Sequence, residues 1–157
     1  MTIESERAGL SMEQQMRHIM VATDGSEGAD RATDVAAAIA KAMGSNLSVL
    51  TVGGNLSTEE MRQLARAERD LGDALELLSN GILTRAKDRA QRIGLSNVKV
   101  QSSWGDAAEA IIEAVRREQV DAIVIGRRGR GRLAGLLLGS VSQKVASLAP
   151  CIVITVP

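Results

Sequence analysis

Short apolar runs alternate with longer amphipathic stretches from about residue 18 to the end of the chain. The short runs are rich in Ile and Val and are bounded by Gly, Asp, Asn and Ser, which is typical of β-strands. They lie at 19–22, 47–52, 98–101, 122–125 and 152–156. The pattern therefore predicts five strands, each separated from the next by one amphipathic stretch.

The amphipathic stretches repeat apolar residues at helical spacing. The first predicted helix opens at Ser26 or Gly28 and stops at Gly44, because glycine is the usual residue at a helix C-terminus. Its apolar face carries Val35, Ala36, Ile39, Ala40 and Met43. The second helix begins near Ser57, and two internal glycines weaken it, so the conformation of 57–93 is left open. Its predicted buried stripe comprises Met61, Leu64, Leu71, Leu75, Leu78 and Ile82.

A third helix is predicted from Asp106 to about Glu118, and a short fourth from Ser140 to about Leu148. Repeated strand–helix–strand units require parallel strands, right-handed crossovers and helices on both faces of the sheet. The third strand run alternates apolar and polar residues, as an edge strand does, whereas the fourth is apolar throughout and is expected near the centre. The predicted fold is a doubly wound α/β domain, a Rossmann-like three-layer sandwich with a five-stranded parallel sheet in the order 3-2-1-4-5.

The fourth predicted strand runs directly into a glycine-rich segment. Gly126 and Gly129 follow the strand, and after nine further residues Gly139 opens the sequence Gly-Ser-Val-Ser. Glycines let main-chain N–H groups approach an oxygen-rich ligand, and a helix N-terminus binds anions. In the predicted strand order this segment meets the end of the first strand, where Asp24 lies, at the point where such sheets bind ligands. We therefore expect the two tracts to form one crevice that binds phosphate.

Composition and charge narrow the class of protein. The 19 basic and 19 acidic residues cancel, and no apolar stretch approaches membrane-spanning length, so neither a nucleic-acid binder nor a membrane protein is expected. Residues 122–157 nevertheless contain no acidic residue, which favours an anionic ligand at this end. A single cysteine, Cys151, and a start without a signal-peptide pattern indicate a cytoplasmic setting. Residues 1–16 are polar and aperiodic, and we expect a disordered extension there.

Four motifs, taken in order, resemble those of the universal stress protein family. They are VATDGS at 21–26, GDAAEAI at 105–111, the glycine-rich segment at 126–142 and APCIVI at 149–154. The resemblance covers 17–157 as one universal stress protein domain. It implies a fold of the adenine nucleotide alpha hydrolase-like kind and, because the glycine motif is intact, membership of the ATP-binding subgroup.

The resemblance implies a bound adenine nucleotide, ATP or the related ADP or AMP, with any Mg²⁺ held through the phosphates and none by the protein alone. The implied binding residues are Ala22, Thr23 and Asp24 on the base and ribose side, the main chain of Val52 at the adenine, Ile125 and Gly126 at the ribose, and Gly129, Gly139, Ser140, Val141 and Ser142 around the phosphates. Arg127 is counted with them, although it stands where the family commonly has a small hydroxyl residue. Because a long cation could clasp a phosphate or crowd the ribose, the nucleotide preference stays open.

Other interpretations of the same residues remain. Taken alone, the glycine cluster is equally consistent with a flexible loop carrying surface arginines. The function could be that of an interaction module that does not depend on nucleotide, or of a slow ATPase. No general base or activated nucleophile is evident near the expected phosphates, so no catalytic residue is assigned and at most weak ATP hydrolysis is expected. His18, the sole histidine, is expected at an edge or on the surface, and with one cysteine it supports no metal site.

The last predicted strand suggests self-association. It is apolar and lies at a sheet edge, where unpaired amides need covering. Pairing of the segment Cys151 to Val156 with its copy about a two-fold axis would cover them, and the resemblance implies the same homodimer. As a function, the resemblance implies a nucleotide-dependent stress-response or signalling protein with an unidentified protein partner. Which stress, which partner and which nucleotide are involved is left open.

Overall fold

The computed structural model describes residues 15–53, 59, 62–63, 66, 71–129 and 138–157. The strands are β1 (His18–Ala22), β2 (Asn46–Gly53), β3 (Val98–Trp104), β4 (Ala122–Gly126) and β5 (Ile152–Val156). They form one sheet in the order β3-β2-β1-β4-β5, and every neighbouring pair is parallel. The predicted order is confirmed. The expected N-terminal extension, as far as residue 14, lies outside the described residues, so its disorder stays a prediction.

The structure describes four helices in full between the strands. They are α1 (Glu27–Met43), α2 (Leu71–Ile93), α3 (Ala107–Arg117) and α4 (Ser140–Leu148). Helices α1 and α2 cover one face of the sheet, and α3 and α4 cover the other. The result is the predicted doubly wound, three-layer α/β sandwich.

The helix ends follow the signals in the sequence. Ser26 caps α1 by accepting a hydrogen bond from the Ala29 N–H at 3.2 Å, and Gly44 ends it in the left-handed conformation with φ 67° and ψ 29°. Asp106 caps α3 in the same way, accepting from the Glu109 N–H at 2.9 Å. The predicted boundaries of α1 and α3 are therefore confirmed.

Strand burial agrees with the predicted positions in the sheet. All five residues of β4 are buried, whereas most residues of β3 are exposed or half-buried. Ala22 of β1 lies in register with Ile125 of β4. This pairing brings the carboxyl ends of the two central strands, with the loops that follow them, to one place at the edge of the sheet.

The core is built from branched side chains of the sheet and alanines of the helices. Helix α1 buries Ala29, Ala32, Thr33, Ala36, Ala37 and Ala40. By contrast Met43, placed by periodicity on the apolar face, is 44% exposed. Small residues let α1 approach the sheet closely, so its buried face is centred on alanine and not on its larger apolar residues.

His18, the one histidine, is partly exposed, but it does not lie on an edge strand. It opens β1, which lies at the centre of the sheet, and its ring is half-buried. Its Nδ1 atom lies 3.3 Å from the Glu118 carbonyl oxygen, and its Nε2 atom lies 2.7 Å from Ser48 Oγ. The side chain is therefore a structural bridge between α3 and β2.

The Glu118 carboxylate fastens the end of α3 to the edge strand β3. It accepts hydrogen bonds from Gln101 Nε2 at 2.6 Å and from Arg117 Nη2 at 3.3 Å, and Lys99 Nζ lies 3.5 Å away. Desolvation by burial raises the pKa of Glu118, but these hydrogen bonds and the Lys99 charge outweigh it, so the pKa is lowered overall.

Glu118→Gln is therefore expected to reduce the acid sensitivity of the fold. A carboxylate whose pKa is lower in the folded state stabilises it above the unfolded pKa, and that contribution is lost as pH falls through the folded pKa. The stability difference between wild type and the variant should shrink as pH falls from about 6 to about 3. Urea unfolding at a series of pH values measures it, and a difference that does not change with pH would contradict the assignment.

None of the described helices combines the length and the apolarity that a membrane-spanning segment needs.

Candidate functional site

A cleft of about 370 Å³ opens at the carboxyl ends of the central strands. The ends of β1, β2 and β4 form its floor, and the first turns of α3 and α4 and one face of α2 form its walls. Every residue that the sequence assigned to nucleotide binding lines this cleft, with the exception of Arg127. The two distant tracts of the chain thus meet in one place, and what they bind remains a prediction.

The loop after β1 is held rigidly at the base of the cleft. The Thr23 N–H donates to the Leu50 carbonyl oxygen at 2.9 Å, and Thr51 Oγ1 donates to the Thr23 carbonyl oxygen at 2.8 Å. Asp24 Oδ1 accepts from the Ser26 N–H at 2.9 Å, which makes the turn that leads into α1. The conformation of this loop is therefore fixed by β2 and by its own side chains.

Helix α2 also contacts this loop, through Arg85. The Arg85 guanidinium donates to the Gly25 carbonyl oxygen at 3.1 Å and pairs with the Asp30 carboxylate of α1. One turn later Arg89 holds Asp34 with two hydrogen bonds, of 3.0 and 2.6 Å. The hydrogen bond with Asp34 is the main cause that raises the Arg89 pKa, and burial opposes it. The wall and the floor of the cleft are thereby joined.

Asp24 and Gly129 lie next to each other at the cleft. A Cβ atom added at Gly129 would lie only 2.7 Å from Asp24 Oδ2. At this separation only a glycine leaves the carboxylate in place. The sequence had assigned Asp24 to the nucleoside side and Gly129 to the phosphate side, and the structure shows that these two positions are direct neighbours.

The N-terminus of α4 opens into the cleft without a cap. Gly139 occupies the capping position and offers no side chain, and the first turn of α4 contains no acidic residue. By contrast α1 and α3 have side-chain caps and acidic residues in their first turns. The first N–H groups of α4, at Ser140 to Ser142, and the positive end of its dipole therefore face the cleft with no side-chain cap and no acidic residue from the described part of this helix.

The two serines of this helix differ in their surroundings. Ser142 is buried, and its Oγ donates to the Gly126 carbonyl oxygen at 2.7 Å, so its hydroxyl ties α4 to β4. Ser140 is exposed at the mouth of the cleft. Ser140 can therefore offer its hydroxyl to a ligand, and Ser142 can offer its main-chain N–H.

Arg127 lies outside the lining of the cleft, unlike its predicted neighbours. Its N–H donates to the Val156 carbonyl oxygen at 2.6 Å, and its carbonyl oxygen accepts from the Gly139 N–H at 2.8 Å. Its Nε atom is buried with no hydrogen-bond partner in the described part of the chain. Because the main chain here is bonded to β5 and to the start of α4, Arg127 shapes the loop, and its side chain does not reach the cleft.

The structure describes two other basic residues in the segment 122–157, Arg128 and Lys144. Arg128 does line the cleft, with its side chain exposed. Lys144 instead points to α3, where its Nζ lies 3.4 Å from Glu109 Oε1 and 3.8 Å from Asp106 Oδ1. Among the basic residues that the structure describes in 122–157, Arg128 is therefore the one that lines the cleft.

Comparison with known proteins identifies the family. The sequence model of the universal stress protein family matches residues 16–157. The chain belongs to this family. A universal stress protein of Thermus aquaticus, encoded in the QAH/OAS sulfhydrylase 3′ region, is 37% identical over 150 residues, covering 88% of this chain and 96% of the relative. Universal stress protein YxiE of Bacillus subtilis is 32% identical over 144 residues, covering 88% and 97%.

A solved structure of the same family is also similar. The crystal structure of a universal stress protein in complex with cAMP is 29% identical, with a TM-score of 0.70, and covers 91% of this chain and 98% of that chain. The family and the fold of this universal stress protein are thus shown by both sequence and structure.

Part of the cleft of this universal stress protein lies outside the motifs of the resemblance. Leu75, Leu78, Ser79 and Ile82 of α2 form this part of the wall. Helical periodicity predicts Leu75, Leu78 and Ile82 in a buried stripe. Helical periodicity shows that one face of α2 is apolar, but it does not distinguish a face that meets the core from one that meets a ligand.

Proposed function

We propose that this cleft binds an adenine nucleotide, ATP or the related ADP or AMP, with its phosphates at the N-terminus of α4. The observation that carries the proposal is the uncapped start of α4, whose N–H groups open into a cleft at the switch point of the sheet. The absence of acidic residues from 122–157 favours an anion here. A similar member of the family was solved with cAMP, which supports an adenine nucleotide as the ligand.

The other end of the cleft suits the nucleoside. Ala22, Leu50 and Val52 on the strands face Leu78 and Ile82 of α2, so a flat base would be enclosed by apolar side chains. The main chain at the end of β2 would supply the polar contacts that orient the base. The ligand is therefore proposed to lie with its base over β2 and its phosphates over the end of β4.

Equilibrium dialysis with ATP, ADP and AMP tests the proposal. We expect saturable binding of at least one of them at concentrations below about 1 mM. The single tryptophan gives a second readout, because the Trp104 ring fills the space where a Cβ of Gly53 would lie, and Gly53 lines the cleft. Lack of binding at millimolar nucleotide by both methods would favour an interaction module that does not depend on nucleotide.

The proposed role is a nucleotide-dependent one in stress response or signalling, in which occupancy of the cleft controls an interaction with another protein. No catalytic residue is assigned, and any ATP hydrolysis is expected to be weak, with Mg²⁺ arriving through the phosphates. Product release with and without Mg²⁺ measures this rate. A cytoplasmic location remains a prediction.

We also propose that the protein forms a homodimer through β5. In the described chain β5 pairs with β4 alone. The Ile152 N–H and the Val156 carbonyl oxygen bond toward β4 and its flanking residues, so by strand alternation the main-chain groups of Val153 and Thr155 face the free edge. Ile152 and Leu148 are 55% and 54% exposed beside this edge. An unpaired edge flanked by apolar side chains favours pairing with a second copy.

Ile152→Glu is expected to shift the dimer to monomer, because two like charges and two desolvated carboxylates would meet at the interface. Met43→Glu is the matched control. Met43 is 44% exposed at the C-terminus of α1, outside the β5 edge, so its replacement should leave the dimer intact. Sedimentation at micromolar concentration measures both variants. A monomeric wild type, or a dimeric Ile152→Glu variant, would rule out this interface.

A further inference from the structure

Ser79 is a polar residue in the apolar wall that α2 presents to the cleft. Its neighbours in the wall are Leu75, Leu78 and Ile82. Ser79 itself is only 5% exposed, yet it lines the cleft. A hydroxyl at the surface of an apolar cleft loses its hydrogen bonds to water when a ligand enters, unless the ligand replaces them.

The structure gives Ser79 no hydrogen-bond partner within the described residues. A hydroxyl inside a helix usually donates to the carbonyl oxygen four residues earlier. Two other described residues do so: Thr33 donates to Ala29 O at 2.9 Å, and Ser147 donates to Gln143 O at 2.9 Å. Ser79 differs from both, because its hydroxyl lies at the cleft surface and is not bonded to its own helix.

The position of Ser79 assigns it to one end of the cleft. Helix α2 packs on β2, β3 and α1, whereas α4 packs on α3 and β5. The part of the wall that carries Ser79 therefore lies over the end of β2, near Val52 and Gly53. The anion-binding N-terminus of α4 belongs to the opposite end.

We propose that Ser79 forms a hydrogen bond to the nucleoside half of the bound nucleotide and so contributes to its recognition. This inference rests on the proposed function of the cleft. An apolar wall encloses the base without orienting it, whereas one hydroxyl among three aliphatic side chains fixes its position and disfavours ligands with no polar group there. Ser79 lies outside the motifs by which the sequence resembles its family.

Ser79→Ala tests the proposal. Loss of one neutral hydrogen bond should weaken ATP binding by about three- to tenfold. AMP shares the base and ribose but lacks the terminal phosphates, so its affinity should fall by the same factor. The variant is expected to fold, since alanine favours a helix more than serine does, and thermal unfolding checks this. Equilibrium dialysis with each nucleotide measures the affinities.

Ser147→Ala is the matched control, because it is the same substitution in a helix, at an exposed position outside the cleft. It should leave both affinities unchanged. If Ser79→Ala binds ATP and AMP as the wild type does, or loses affinity for ATP alone, the role of Ser79 is refuted while the proposed function stands. If wild type binds neither nucleotide, the proposed function itself fails, and this inference fails with it.

Discussion

Gly129→Val is expected to lower the affinity for ATP by about 100-fold, which corresponds to about 3 kcal/mol. A Cβ at this position would lie 2.7 Å from Asp24 Oδ2, so valine must displace the carboxylate and fill the space between the two halves of the cleft. The displaced Asp24 would also lose its hydrogen bond from the Ser26 N–H, which shapes the loop at the base of the cleft. Isothermal titration calorimetry with ATP measures the effect.

The fold of the Gly129→Val variant should be preserved, because Gly129 is exposed and lies in a loop after the strand. Gly81→Val is the matched control: Gly81 is exposed on α2, and nothing lies within 4 Å of the Cβ that it would gain. This control should bind ATP like the wild type. Unchanged affinity in Gly129→Val would show that the nucleotide does not contact the part of the cleft that Asp24 and Gly129 form.

Gly126→Ala is expected to lower the free energy of unfolding by about 2 kcal/mol, as overpacking of a close-packed interior does. A Cβ at Gly126 would lie 3.0 Å from the carbonyl carbon of Gly28, 3.1 Å from its oxygen and 3.2 Å from the nitrogen of Ala29. These are main-chain atoms of α1, so the helix has to move, whereas a side chain could simply rotate away. The end of β4 and the first turn of α1 are thus packed backbone against backbone.

Urea unfolding of Gly126→Ala and Gly81→Ala separates this packing from a general effect of replacing glycine. Gly81→Ala removes a glycine from the exposed face of a helix and should raise stability by about 1 kcal/mol. The two variants are therefore expected to move the unfolding midpoint in opposite directions. A midpoint for Gly126→Ala equal to that of the wild type would contradict the close approach of α1 and β4.

The sheet could be predicted from the sequence because its signals are local and mutually consistent. Alternation of polar and apolar residues marked the β3 edge, and a continuous apolar run marked β4 as central. The caps of α1 followed from Ser26 and Gly44, whose residue types suit those conformations. With strand order known, the meeting of the β1 and β4 loops followed from geometry alone.

The parts that could not be predicted depend on contacts between distant residues. The apolar stripe of α2 was assigned to the core, but Leu75 and Leu78 line the cleft. The buried residues described in α2 are Ala74, Ser79, Leu83, Ala86 and Ala90. Met61 and Leu64 of the same stripe lie outside the described residues. A repeat of apolar residues indicates which face of a helix avoids water, and a ligand can cover that face as well as a protein core can.

The directions of the Arg127 and Ser142 side chains could not be predicted either. Sequence placed the Arg127 side chain at the nucleotide, but main-chain hydrogen bonds to Val156 and Gly139 set the course of the loop and leave this side chain outside the cleft. Ser142 lines the cleft as expected, but its hydroxyl is bonded to Gly126 O, so only its main-chain N–H is left for a phosphate. The direction of a side chain in a loop depends on these long-range bonds, which no spacing of residue types reveals.

A crystal structure of the protein grown with ATP tests the central claim most directly. The account predicts the nucleotide in this cleft, with its phosphates at the N–H groups of Ser140, Val141 and Ser142 and its base between Val52 and the α2 wall. A nucleotide bound elsewhere on the protein, or bound here with its base at α4 and its phosphates at β2, would contradict the account.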